Sequence, residues 1–249
     1  MFVLKTKYPF PVNRATTVDL RAQLLPGIAG GPAHLESATA MVQGLATLGY
    51  RHLITTPRLS GPNYQAADQA IQQAAAQLQQ HVDQYGIVVS ITPAAEYRIG
   101  EGFEEFVKQY PIRALPGNYV LLDITNHDSV RELKGPIFEL RARGYEPVIV
   151  QPENLPELIR SMAAIEYLRD LGCFFQVNLL SLVGHYGRRA SSFAAKLLKA
   201  GYVDFLGSNV RNPQDLLLLQ TFAVTPTIGT LLEQTKFRNG ELVFSEMSE

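Results

Sequence analysis

Several short stretches set polar side chains directly after apolar runs. "VDLRAQ" carries Asp19, Arg21 and Gln23 at alternating positions, and "TTPRL" carries Arg58. "AAEYR" carries Glu96, and "VQPEN" carries Gln151, Glu153 and Asn154. "QVNLLS" carries Asn178 and Ser181, and "GSNVRN" carries Ser208, Asn209 and Arg211. Histidines and carboxylates at such alternating places would hold a divalent cation. Here the places are taken by cations and amides. Arginine does not lose its proton near neutral pH and has no lone pair for a metal. Amide oxygens are weak neutral ligands for a transition metal. The chemistry these residues suit is the grip of guanidinium groups on an anion.

Other chemistries find less support. The five histidines form no H-x-H or H-E-x-x-H pattern, and there is no C-x-x-C, so spacing offers no metal site. Ser181 with His185 as nucleophile and base lacks an elbow motif and an orienting acid. The single cysteine, Cys173 in "GCFFQV", reads as a buried small hydrophobe.

The elements that must position this set are short strands. Apolar, β-branched runs fall at 18–20, 52–55, 88–91, 119–124, 147–150, 174–177 and 203–206. Helical spacing fills the gaps at 35–48, 70–82, 129–143, 155–171 and 188–200. Gly49, Gly86, Gly144, Gly172 and Gly201 stand where glycine ends a helix. The order helix, glycine, strand marks parallel βα units. About seven units fit, with no linker between them, as an open sheet or a closed barrel. In a barrel all the polar stretches share the rim at the strands' C-terminal ends. "GIAGG" lacks the Lys-Ser/Thr of a phosphate loop and reads as a turn. The Ala/Gln-rich segment 65–84 favours helix. Residues 1–17 are expected to form a partly ordered arm and 18–222 the barrel. Residues 223–249 are expected to hold a short helix near 226–234 and then a tail that packs on the barrel or frays.

With 46% hydrophobic and 18% charged residues the chain has matter for a substantial core. Its net charge of -1 gives no reason to expect nucleic acid or an anionic membrane as partner. No apolar run reaches the roughly 18 residues of a membrane span, so a soluble cytoplasmic protein is expected.

These stretches, with "GNYVLLDI" and "GCFFQVNLLSLVGHYG", occur in the order found in bacterial PHP-type (polymerase and histidinol phosphatase) tyrosine phosphatases of capsule and exopolysaccharide systems. The resemblance covers roughly residues 16 to 220. It implies an α/β fold, a distorted (β/α)7 TIM-like barrel in a single domain. It also implies a manganese-type cluster at the rim and phosphotyrosine on a polysaccharide-export kinase as substrate. The chain departs from that pattern. D-x-H-x-H keeps Asp19 but has Arg21 and Gln23 for its histidines. T-P-H ends in Arg58, H-P-E-R becomes Gln151-Pro152-Glu153-Asn154, and the final D-x-H becomes Asn209-Val210-Arg211. Only Glu96 remains among the ligands that can be placed.

The expectation is a degenerate, metal-free homologue with a regulatory or binding role in polysaccharide production. The alternative is an active phosphoester hydrolase with a rebuilt arginine-rich site. The implied partners are the phosphorylated kinase or an intact relative, and a phosphate-like anion at Arg21, Arg58, Arg211 and Asn178. The three arginines are expected to converge about 7 Å apart, where each pair repels by about 2 kcal/mol at an effective dielectric near 20. Glu96 is expected to pair with Arg21 or Arg58 as a plug, leaving Arg211 spare for the anion.

Overall fold

The computed structural model describes residues 7–28, 30–59, 64–125, 127 and 129–243. Strand β1 (Tyr8–Pro9) precedes β2 (Val18–Ala22), which leads through the glycine loop to helix α1 (Leu35–Thr47). β3 (His52–Thr55) and β4 (Arg58–Leu59) are halves of one stave, followed by α2 (Tyr64–Gln84). β5 (Ser90–Pro93) and β6 (Glu96–Arg98) are halves of the next, followed by α3 (Phe103–Gln109). Then come β7 (Tyr119–Asp123), α4 (Lys134–Ala142), β8 (Glu146–Val150), α5 (Pro156–Arg160) and α6 (Met162–Asp170). β9 (Phe174–Asn178), α7 (Leu179–Leu182), α8 (Arg188–Lys199), β10 (Phe205–Gly207) and α9 (Pro213–Gln220) complete the alternation. β11 (Ala223–Val224) and α10 (Pro226–Gln234) follow.

All barrel strands are parallel. One sheet runs β2-β3-β5 and the other β10-β9-β8-β7-β6-β4. The two sheets merge where two staves bend, each at a proline whose missing N–H interrupts the ladder. Ala94 N–H donates to Thr55 O at 2.8 Å and Glu96 N–H to Pro57 O at 3.1 Å across the bend. Counting each bent pair as one stave gives a distorted (β/α)7 barrel in one domain, the expected fold.

The last seam, between β10 and β2, has no strand ladder among the described residues and is closed by one backbone bond, Gln23 N–H to Val210 O at 2.8 Å, and by side chains. Asp19 accepts from the Ser208 N–H at 2.8 Å and from its hydroxyl at 2.7 Å. Fully buried Asn239 donates to Val18 O and Leu206 O and accepts from Leu206 N–H, at 2.8–3.0 Å. Gly207 permits this approach, because a Cβ there would lie 2.4 Å from Leu20 O.

Strand alternation divides the interior by height. Val18, Leu20, Ile54, Leu121, Val148 and Phe205 form an apolar lower plug. Further along the same inward faces stand Glu96, Asp123, Gln176 and Asn178, all buried. The outer faces pack against the helices in the larger core, which includes Leu45, Leu78, Ile137, Leu168 and Leu197.

Several boundaries differ from the expected ones. The run at 88–91 becomes β5 at Ser90–Pro93, leaving Val88 82% exposed. The run at 203–206 becomes Phe205–Gly207. The helix expected over 129–143 begins as a 3-10 turn at Val130–Leu133. That over 155–171 breaks at Ser161, whose backbone is extended at φ -138° and ψ 110°. The arm is fixed from residue 8 onward: β1 pairs antiparallel with β11, and Phe10 and Val12 are buried. Beyond α10 the chain does not simply leave the barrel, since Asn239 and Leu242 are buried beneath it. Residues 1–6 and 244–249 lie outside the described residues. No helix among the described residues is long and apolar enough to cross a membrane.

Candidate functional site

The polar groups converge at the rim because each stave delivers one or two inward side chains there. Arg21 reaches it through an irregularity. Period-2 alternation after Leu20 would aim Arg21 outward. The ladder slips between Leu20 and Ala22, Arg21 takes φ 71°, and its side chain swings into the barrel. Its Nε donates to Glu96 Oε2 at 2.9 Å and its Nη2 to the same oxygen at 2.5 Å. Nη1 makes longer contacts to Gln176 Oε1 at 3.5 Å and Asn178 Oδ1 at 3.4 Å.

The other Glu96 oxygen is taken by Arg58, from Nε at 3.3 Å and Nη2 at 3.1 Å. Arg58 Nη2 also lies 3.2 Å from Asp123 Oδ2, which Arg98 holds from its own Nε and Nη2 at 3.2 and 3.1 Å. The result is a chain Arg21–Glu96–Arg58–Asp123–Arg98. Three guanidiniums face two carboxylates, leaving one unit of positive charge. The acids and Arg21 are at most 3% exposed, whereas Arg58 is 46% and Arg98 34% exposed. Burial pushes the Asp123 carboxyl upward, but hydrogen bonds from Thr125, the charge of Arg58 and a hydrogen bond from Arg98 outweigh it and hold Asp123 below its ordinary value.

The remaining expected residues lie around this chain. Gln23 donates to Thr56 O at 2.9 Å and braces the first loop. Gln151 has φ 53°, donates its N–H to Gln176 O at 2.9 Å, and has no side-chain hydrogen bond among the described residues. Asn209, at φ 52°, donates to the Tyr186 hydroxyl at 2.9 Å. Glu153 is fully buried, accepting from Asn178 N–H at 3.0 Å and Ser181 Oγ–H at 2.7 Å. Burial raises its carboxyl above the ordinary value, and those hydrogen bonds only partly oppose the shift. Asp19, also buried, is raised to about 7 for the same reason.

Arg211 departs from the expected convergence. It is half-exposed, its Nε lies 3.5 Å from Asp215 Oδ2 at the start of α9, and it makes no ion pair with Glu96. Asp215 also faces His185 at 3.5 Å, so this corner is already occupied. Asn178 takes part through an oxygen that accepts from Arg21, and its buried Nδ2 has no partner among the described residues. Arg98, missed in the sequence, supplies the third guanidinium. The signal was present: Arg98 stands two residues after Glu96, on the same face of the strand, in register with Asp123.

With that geometry in place, relatives can be compared. A family model described as "Capsular polysaccharide synthesis, CpsB/CapC" matches residues 17–215. The chain belongs to the CpsB/CapC family. It is 25% identical over 196 residues to the tyrosine-protein phosphatase YwqE of Bacillus subtilis (strain 168), covering 78% of this chain and 77% of that one. It is 19% identical over 232 residues to the putative tyrosine-protein phosphatase CapC of Staphylococcus aureus, covering 92% and 91%. A solved structure from work on YwqE and on CpsB of Streptococcus pneumoniae, described as unique metal-dependent tyrosine phosphatases, superposes with a TM-score of 0.71 at 23% identity. It covers 88% of this chain and 95% of that one, and so shows the same fold.

The residues at this CpsB/CapC rim do not fit a divalent-metal cluster. Both oxygens of Glu96 are engaged by guanidinium groups. No group of three or more His, Cys, Asp or Glu side chains gathers as metal donors among the described residues. A cation entering here would meet the positive charge of Arg21 and Arg58 before reaching a free lone pair.

Proposed function

We propose that this chain is a CpsB/CapC member that has exchanged metal-dependent phosphatase chemistry for a metal-free binding role. That role is regulatory, in capsule or exopolysaccharide production, through the tyrosine kinase of the export system or a catalytically intact relative. The observation that carries the reading is the double occupancy of Glu96: Arg21 and Arg58 fill the space and satisfy the charge that a metal would otherwise serve. Without a metal nothing at the rim lowers the pKa of an attacking water. Side-chain nucleophiles give no substitute. Ser181 is buried and donates its hydroxyl to Glu153, and burial pushes the Cys173 thiol up to about 12.

The half-exposed guanidiniums favour one second reading, a hydrolase whose arginines stabilise phosphoryl charge. A single assay separates the two. Purified without a metal-binding tag, the protein is incubated with phosphotyrosine peptides in manganese and in chelator. The binding reading expects no turnover above the uncatalysed rate in either, and no stoichiometric transition metal by elemental analysis. Turnover abolished by chelator and restored by manganese overturns it, and turnover indifferent to both supports the rebuilt hydrolase.

A further inference from the structure

The rim holds a pair of guanidiniums whose charge the protein itself leaves partly unanswered. Arg58 and Arg98 both bind the same oxygen of Asp123, at 3.2 and 3.1 Å, so the two cations sit side by side. Glu96 answers Arg58 from below, but it is shared with Arg21. Each of the two outer guanidiniums spends Nε and Nη2 on these acids, and the Nη1 amino group of each has no hydrogen-bond partner among the described residues. Both side chains are open to solvent, at 46% and 34%. The acids beneath them are buried, so they hold the pair in place while the two guanidiniums reach solvent.

From this geometry we infer that Arg58 and Arg98 form the jaws of a binding site for a tetrahedral oxyanion, a phosphate or the head of a phosphate monoester. This rests on the metal-free reading of the rim, since a metal on Glu96 and Asp123 would displace both arginines. The site differs from the one expected from the sequence: Arg21 is spent on Glu96, Arg211 is held by Asp215, and Arg98 takes their place. A tetrahedral anion suits the pair better than a carboxylate. It offers three or more acceptor oxygens to two guanidinium edges, where a carboxylate offers two. Preorganisation by Asp123 means the jaws need not be assembled when the anion arrives.

The test uses the full chain and inorganic phosphate as probe, by isothermal titration and phosphorus NMR line-broadening, with acetate and chloride at matched ionic strength. Phosphate is expected to bind saturably, one per chain, and to be weakened at least about tenfold in Arg98→Gln, one charge-assisted contact's share. Arg58→Gln gives an independent second variant should Arg98→Gln not fold. Arg211→Gln, outside the jaws, is expected to leave the affinity within about twofold. Binding that chloride or acetate matches, or that survives both Arg58→Gln and Arg98→Gln, overturns the site. Each titration is repeated with manganese and with chelator. Phosphate binding that appears only with manganese overturns both the site and the metal-free reading. No binding under either condition overturns the site alone.

Discussion

Glu96→Gln is the sharpest perturbation of the rim, because the change is isosteric and reverses the hydrogen-bonding sense of half the group. Glu96 receives Arg21 from Nε and Nη2 at 2.9 and 2.5 Å, and Arg58 from Nε and Nη2 at 3.3 and 3.1 Å. A glutamine keeps one acceptor and turns its amino group against the other guanidinium, so one arginine faces donors instead of an oxygen. Opposite unit charges about 4 Å apart attract by about 4 kcal/mol at an effective dielectric of 20. The Arg58 arm is half-exposed and contributes only the ~0.5 kcal/mol of a surface pair. The Arg21 arm is 3% exposed, so its charge is largely out of reach of solvent. Removing one member of a buried pair typically costs about 3 to 5 kcal/mol, and that range is the expectation here. For a chain of this size it corresponds to a fall in Tm of about 6 to 20 °C. Urea unfolding by circular dichroism at pH 7 measures the free energy, and calorimetry the Tm. Phosphate is expected to restore more stability to the variant than to the wild type, because the variant's rim carries one more unreturned positive charge. A loss below about 1 kcal/mol, with wild type strongly stabilised by phosphate, would refute the plug and leave a plain anion receptor.

Asn239→Leu removes three hydrogen bonds of 2.8–3.0 Å that close the β2–β10 seam and leaves Leu206 N–H without its acceptor. A loss of about 2 to 4 kcal/mol by urea unfolding is expected, and one under 0.5 kcal/mol would show that the seam does not need it. Asp19 makes stability depend on pH. Its folded value of about 7 lies above the ordinary 3.8, so the folded state binds the proton more tightly. Its contribution is fully present below about pH 4 and is lost as pH rises to about 7, with a slope of about 1.4 kcal/mol per pH unit. Glu153 shifts in the same direction, so Asp19→Asn should lessen the slope between pH 5 and 7 without abolishing it; an unchanged slope assigns the effect elsewhere. Gln151→Gly should raise stability by up to about 1 kcal/mol, since φ 53° strains a side chain that makes no hydrogen bond among the described residues in return, and a loss would show that the glutamine has a contact of its own.

The barrel was legible because its signals repeat. Each βα unit announces itself by an apolar run, a glycine and a helical period, and errors at one boundary do not propagate to the next. The boundaries that slipped depend on tertiary packing. Val88 has the residue type of a strand but lies outside the ladder, whereas Pro93, a poor strand residue, ends β5 at the bend of its stave. Ser161 breaks a helix whose apolar spacing runs on unbroken across it. At the rim the membership of Arg21, Arg58 and Glu96 was readable from their place after apolar runs. The partition among them was not, because it turns on a slipped ladder at Arg21 that no local pattern encodes. Arg98 was readable from strand period alone. Asn239 was not, since nothing in "FRNGEL" indicates a strand edge over two hundred residues away in sequence.

The backbone is strained at several rim positions. Among the described residues four that are not glycine have positive φ: Arg21, Asn118, Gln151 and Asn209. Three of these stand at positions where the resemblance places replaced ligands. Asparagine tolerates the left-handed region, but arginine and glutamine pay about 1 to 2 kcal/mol to enter it. The strain is imposed by the scaffold: Gln151 donates its N–H to Gln176 O, and Gln23, two residues beyond Arg21, donates its own to Val210 O. These backbone links tie neighbouring staves together whatever side chain the strained residue carries. The backbone bonds thus hold the rim's shape independently of the side chains at Arg21 and Gln151. At Arg21 that shape has a use, because the φ of 71° turns a buried guanidinium onto Glu96. At Gln151 it has none that the described contacts show. The arginine chain from Arg21 to Arg98 rests on that scaffold, with both oxygens of Glu96 engaged at its inner end and the guanidiniums of Arg58 and Arg98 open to solvent at its outer edge.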